Sequence, residues 1–334
     1  MRYADAPPNV RSLEQRIRNL EGNEDLALRR RTGMALVVVG QMLPEGAVKG
    51  GSAMALRYGR GTRFTRDLDA ARVQPLDRFR SAFEESLATG WAGFTGRLVE
   101  KTAPRPAAVP PAYVMRPFEV KLAYRDRAWC TASFELGHNE IGDAVEPEHR
   151  LAASLAGLFT EVGLEAPGPV PVMRADHQVA QKLHAVSEAG SERARDLVDL
   201  QILEKGEDLD AAQVAVTCTR LFGYRRRQAW PPVIRAGARW GTLYTEAAEG
   251  LDVLPVVEEA VEWVTGSSGA SQLREAELWL PQRTLPVQPC PSKPPHPRSA
   301  APSSPNPARN PRSSRAPSAR ASMKGPARSA SSAS

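Results

Sequence analysis

Two short stretches of this 334-residue chain carry residue types that could do chemistry together. The first is Lys49-Gly50-Gly51-Ser52, where two glycines and a serine precede a helix-like run from Ala53 to Tyr58. Residues that small let the backbone come close to a phosphate chain, and the N–H groups at a helix start favour an anion. The second is Arg63-Phe64-Thr65-Arg66-Asp67-Leu68-Asp69, within a segment that reads as a strand from Phe64 to Ala71. On a strand, residues i and i+2 point to one side, so Asp67 and Asp69 aim both carboxylates at one spot. Carboxylates so placed repel each other unless a cation sits between them, and oxygen donors suit Mg²⁺ or Mn²⁺. Taken singly, a GGS is commonly a turn and a DxD a solvated strand. Together, in strand–turn–helix–strand order, they form a phosphate cradle beside a metal site.

The elements that must position these groups follow from the hydrophobic pattern. Val10–Arg31 has Leu13, Ile17 and Leu20 at helical spacing, with Ser12 as N-cap. Ala47–Val48 is a short apolar piece before the glycines, and Leu76–Leu87 is helical with Phe79, Phe83 and Leu87 on one face. Trp91–Val99, Tyr113–Tyr124 and Ala128–Leu136 read as strands, the last two joined by a turn at Arg125-Asp126. Beyond Glu146 the pattern turns helical, over 148–162, 175–189, 191–205, 209–222 and 255–265, with Asp176 as an N-cap. The fold class expected is α/β (α+β): a mixed-sheet core over 1–145, then a helical domain over 146–280.

The remaining segment, 281–334, reads as a disordered basic tail. From Pro286 onward there are 12 prolines, eight Lys/Arg, no Asp or Glu, and Val287 as the one Val, Ile, Leu or Phe. Such a composition buries too little apolar surface to offset the entropy of ordering. The tail also carries more than the chain's whole net charge of +6, which leaves residues 1–285 slightly acidic and removes a global charge argument for nucleic-acid binding. The longest apolar run, Met34 to Val39, is far short of the ~20 residues a membrane helix needs. Residues 1–30 lack a secretory apolar stretch, and Cys130, Cys218 and Cys290 form no CxxC or Cys/His pattern. A cytoplasmic protein without membrane contact is the expectation.

A further block lies in the helical half. Lys182 sits in His177–Val186, and Arg195, Asp196 and Asp199 follow in Arg193–Leu200. Asp196 and Asp199 share a helical face while Leu197 and Leu200 turn to the core. Phe222, Tyr224, Trp230, Trp240 and Tyr244, interleaved with Arg225-Arg226-Arg227 and Arg235, serve either as helix packing with a basic rim or as a surface for an RNA acceptor end.

The stretch from Lys49 to Ala70 resembles the AbiEii/AbiGii abortive-infection toxin family of the nucleotidyltransferase superfamily. That family runs Lys-Gly-Gly-Ser/Thr-Ala-Leu and then Arg-Phe/Tyr-Ser/Thr-x-Asp-Ile/Leu-Asp. The Lys182 helix and the Arg195-Asp196-x-x-Asp199 pattern are similar to its later motifs. The resemblance implies transfer of a nucleoside monophosphate from an NTP to an acceptor, with Asp67 and Asp69 holding Mg²⁺. A third carboxylate is implied on a later strand, with Glu135 preferred over Glu119. It further places Gly50, Gly51, Ser52, Arg63, Thr65, Arg195 and Asp196 around the nucleotide phosphates, Lys182 and Arg195 against the charge of leaving pyrophosphate, and Asp199 in the catalytic set. As partners it implies tRNA at its 3′ end and a separately encoded winged-helix antitoxin, within a phage-defence or toxin–antitoxin pair. Two other readings share the same core: a small-molecule nucleotidyltransferase of the antibiotic-modifying kind, and a catalytically silent binding module.

Overall fold

A computed structural model describes residues 3–20, 24–104 and 114–266, so the tail expected over 281–334 lies outside the described residues. Among these, ten α-helices and a seven-stranded mixed sheet make an α/β fold. The strands are β1 (Gly46–Lys49), β2 (Asp67–Arg72), β3 (Phe94–Glu100), β4 (Arg116–Tyr124), β5 (Arg127–His138), β6 (Glu148–Arg150) and β7 (Val170–Val172). Their order is β3-β4-β5-β2-β1-β7-β6, which puts the strand bearing Asp67 and Asp69 at the centre. β2 runs antiparallel to β1 and parallel to β5.

Alternation along the strands decides which face is filled. Leu68 and Ala70 of β2, Phe134 and Leu136 of β5, and Phe118, Val120 and Leu122 of β4 are buried on one face. There they meet α1 (Val10–Asn19), α2 (Glu24–Gln41), α4 (Leu76–Thr89) and α5 (Ala153–Glu161) in one hydrophobic core. Phe83 of α4 packs its ring 5.3 Å from that of Phe134. The alternate residues Asp67, Asp69, Ser133 and Glu135 are left on the other face. A second core forms within α6 (Ala175–Val186), α7 (Arg195–Gly206), α8 (Ala211–Arg225), α9 (Trp240–Ala248) and α10 (Val257–Gly266). Met54 of α3 (Gly50–Tyr58) reaches into it.

Several elements differ from the sequence expectation for physical reasons. The single helix expected over Val10–Arg31 is two, α1 and α2, and α2 carries on through Met34–Val39. That run is buried all round, so it lacks the one-sided period that marks an amphipathic helix. Asn9, not Ser12, caps α1: its side chain accepts from the Ser12 N–H at 2.9 Å. Residues 148–150 pair with β7 as an edge strand instead of opening a helix, so the sheet runs on to Val172. Asp176 is not a cap. It lies buried in the first turn of α6 and binds Arg174 at 3.0 Å and the Thr217 hydroxyl of α8 at 2.8 Å, locking α6 to α8.

Of the aromatic series, Phe222, Trp240 and Tyr244 are buried in the second core, which supports the packing reading for them. Arg225 is paired with Glu140, and Arg227 with Glu188. No described helix is long and apolar enough to cross a membrane.

Candidate active site

The site is built where β1 ends. Lys49 closes the strand, Gly50 turns the chain with φ +62°, and α3 begins. A Cβ on Gly50 would stand 2.4 Å from Asp69 Oδ2, so the position requires glycine twice over, for backbone conformation and for the approach of the carboxylate. Lys49 offers no side-chain cap to the first-turn N–H groups of α3. Gln178 of α6 reaches the Gly50 carbonyl at 3.4 Å and braces the turn from the helical side.

Asp67 and Asp69 lie two apart on β2 and share a face. In the parallel β2–β5 register Asp69 stands opposite Glu135, and Asp67 opposite Ser133. Glu119 is a strand further out, opposite Ser133 on β4, and is held by Lys101 at 2.8 Å and Lys121 at 3.8 Å. Burial pushes the Asp69 carboxyl above its ordinary range; Lys49 opposes that shift, while Glu135 and Asp67 add to it. Lys49 faces Asp69 in the β1–β2 register, and its ammonium lies over Gly137, where a Cβ would come within 2.7 Å of Nζ. Its spacing gives Lys49 no role in the sequence beyond opening the glycine motif, yet it is the first cation to act on Asp69.

The donors suit a divalent cation by type: carboxylate oxygens on one face, one of them raised in pKa chiefly by burial. Among the described residues no three His, Cys, Asp or Glu side chains converge closely enough to hold an ion by themselves. Mg²⁺ is commonly bound through one or two carboxylates plus substrate phosphates, and Asp67 with Asp69 meets that requirement.

The later block packs beside these carboxylates. Lys182 is buried between Asp196 Oδ1 at 3.0 Å and Asp199 Oδ2 at 2.5 Å. Arg63 takes Asp199 with both forks, Nε to Oδ1 at 3.1 Å and Nη2 to Oδ2 at 2.8 Å. Arg193 closes the other end, Nε to Asp196 Oδ2 at 2.7 Å. Five alternating charges thus run Arg63, Asp199, Lys182, Asp196, Arg193. Burial alone would raise the Asp196 carboxyl, but Lys182 and Arg193 hold it well below the usual range. Arg193 lowers the Asp69 pKa and Asp69 raises that of Arg63, so both ends of the chain of charges lie near the β2 carboxylates.

Some expected residues stand elsewhere. Arg195 opens α7 exposed and without a partner among the described residues, while Arg193, three before Asp196, makes the contact. The Ser52 side chain is buried, and its hydroxyl donates to the Asp67 carbonyl at 2.5 Å. Thr65 donates weakly to the same carbonyl at 3.4 Å. Both hydroxyls thus fix the start of β2.

Residues 41–277 match the model of the nucleotidyl transferase AbiEii toxin family, type IV toxin–antitoxin system. The chain belongs to that family. As an AbiEii protein it is a nucleotidyltransferase toxin with an NTP substrate and a cognate antitoxin. Among solved structures it is similar to the nucleotidyltransferase toxin MenT4 of Mycobacterium tuberculosis, at 16% identity and a TM-score of 0.45, over 80% of this chain and 92% of that one. No curated protein matches it.

Proposed function

We propose that this AbiEii protein transfers a nucleoside monophosphate from an NTP to the 3′ end of tRNA, releasing pyrophosphate. The observation that carries this reading is the pairing of Asp67 and Asp69 on one face of the central strand with Glu135 in register beside them, against the Gly50–Gly51 turn. Mg²⁺ or Mn²⁺ held by Asp67 and Asp69, with Glu135 assisting, would supply Lewis-acid polarisation at the α-phosphate and neutralise charge.

The chain's own groups do the rest. The N–H groups at the start of α3 bind the triphosphate, and Gly50 keeps Asp69 beside it. Ser52 and Thr65 hold Asp67 at its strand position through its carbonyl. Arg63 and Arg193 meet the charge that builds on the departing pyrophosphate. Lys182 is a positioning residue, because its ammonium is spent on Asp196 and Asp199, which in turn aim the two arginines. Glu135 is placed to take the acceptor hydroxyl's proton. The sheet continues to Val172, so we draw the division between the nucleotidyltransferase core and the helical part at the β7–α6 junction. Substrates of this kind place the protein in the cytoplasm, with a separately encoded winged-helix repressor as antitoxin.

The test incubates the purified protein with total tRNA, Mg²⁺ and each α-labelled NTP in turn, with Asp67→Ala alongside. Label entering tRNA from one NTP and absent with a folded Asp67→Ala supports the reading. NTP binding without label in RNA points to a small-molecule acceptor of the antibiotic-modifying kind. No binding and no label means a silent module.

A further inference from the structure

A cavity of about 650 Å³ opens beside Asp67, between α2, α3, α5 and the starts of β2 and β5. That volume lies within the range of ligand sites, ~300–1,000 Å³. Six arginines line it and a single carboxylate, Asp67. Three of the arginines have partners: buried Arg30 the Ile17 carbonyl, Arg63 Asp199, and the partly exposed Arg31 Glu14 at 3.7 Å. Arg29 of α2 and Arg66 are exposed, and neither has a carboxylate partner among the described residues. They flank Phe64 instead, their guanidinium carbons 5.3 and 5.9 Å from its ring centroid. Below this rim the lining is apolar, with Trp129 and aliphatic side chains of α2, β2 and α5.

Paired guanidinium planes over an aromatic ring, above an apolar floor, suit an unstacked base joined to phosphates. A duplex is too wide to enter, whereas one or two single-stranded nucleotides fit. The triphosphate cradle is the neighbouring space: Gly50, Gly51, Asp69, Glu135 and Lys182 do not line the cavity. The two places adjoin at Asp67 and share Ser52, Arg63 and Thr65 beside it.

We infer that this cavity is the subsite for the single-stranded nucleotides just upstream of the reacting 3′ end of an RNA acceptor. Arg29 and Arg66 hold their phosphates, and Phe64 with the apolar floor takes a base. This rests on the RNA-acceptor reading above, and names the surface that would deliver the acceptor to Asp67.

The test uses the full chain and a fluorescent RNA hairpin with a four-nucleotide single-stranded 3′ overhang, titrated over a range of salt. For Arg29→Ala/Arg66→Ala we expect at least tenfold weaker RNA binding. We also expect the slope of log affinity against log salt to shrink by about 1.4, at ~0.7 per lost phosphate contact on a single strand. Affinity for each NTP should stay within twofold. The single variants, each expected to lose about half of the slope change, serve if the double variant does not fold. Unchanged RNA affinity and slope in the variants, with tight wild-type binding, would overturn the subsite and leave the acceptor reading standing. Loss of NTP affinity in the variants would assign the cavity to the NTP and overturn it too. If the wild-type protein neither binds nor labels RNA, the acceptor reading falls and the subsite falls with it.

Discussion

Arg63 and Asp199 stand 136 residues apart in sequence and meet as a two-pronged ion pair, at 3.1 and 2.8 Å. One belongs to the connection leading into β2 and the other to α7. Their contact ties the strand that carries Asp67 and Asp69 to the helix pair that carries Lys182. The Asp199 side chain is fully buried, so both of its cationic partners depend on it.

Asp199→Ala should therefore cost stability on the order of 3–5 kcal/mol, the usual penalty for leaving a buried charge without its partner. Urea unfolding measures this. Lys182→Met/Asp199→Leu should recover much of the loss while transfer stays absent. A loss below about 1 kcal/mol for the single variant would mean the network does not couple the two parts.

Gly50→Ala should damage both fold and chemistry. A residue other than glycine in the left-handed region costs about 1–2 kcal/mol, and here the new Cβ would also displace the Asp69 carboxylate. We expect a loss of that size in urea unfolding and a fall in transfer of at least about a hundredfold, as for a misplaced reacting group. Gly51→Ala has no positive φ and would meet Thr65 Oγ1 at 3.1 Å, so its effect should be smaller. Equal effects would show that the close approach of Gly50 to Asp69 has no special role.

The two acids that competed in the sequence for the third carboxylate stand in different surroundings. Glu135 is in register with Asp69, whereas Glu119 is neutralised by Lys101 and Lys121 one strand away. Glu135→Gln should lower the transfer rate by about 10²-fold or more, the usual scale of a general-base contribution, with folding unchanged. Glu119→Gln should leave the rate within a factor of about three. The reverse order in labelled-NTP assays would move the role to β4.

Asp143 gives the molecule a pH dependence away from the carboxylate pair. It is buried, accepts from the Glu140 N–H at 2.8 Å and from Gln181 of α6 at 2.9 Å, and feels Lys49, Glu140 and Arg225. Burial pushes its carboxyl from 3.8 up to about 7. The folded state thus keeps a proton that the unfolded chain releases. The stabilisation is full below pH 3.8 and is lost as pH rises through 7. Between these limits the wild-type protein should lose up to about 4 kcal/mol relative to Asp143→Asn. Parallel stability curves for the two proteins, measured by urea midpoints across that range, would show that Asp143 is ionised when folded.

What the sequence determined is what acts locally. Gly50, Gly51, Asp67 and Asp69 could be placed on a turn and a strand because φ freedom and the two-residue period are properties of the chain itself. Asp196 and Asp199 could be put on one helical face for the same reason. Tertiary structure alone decided which cation each acid meets. Arg193, just before α7, folds back on Asp196, while Arg195, in the motif itself, is carried to the exposed side by the turn of the helix. Lys49 acts on Asp69 because β1 and β2 pair, and Glu135 joins it because β5 lies on the other side of β2. Residues 148–150 became a strand because β7 offered them an edge, and Met34–Val39, buried on all sides, continues α2. Such pairings depend on which segments pack together across a hundred residues or more, and no local spacing encodes that.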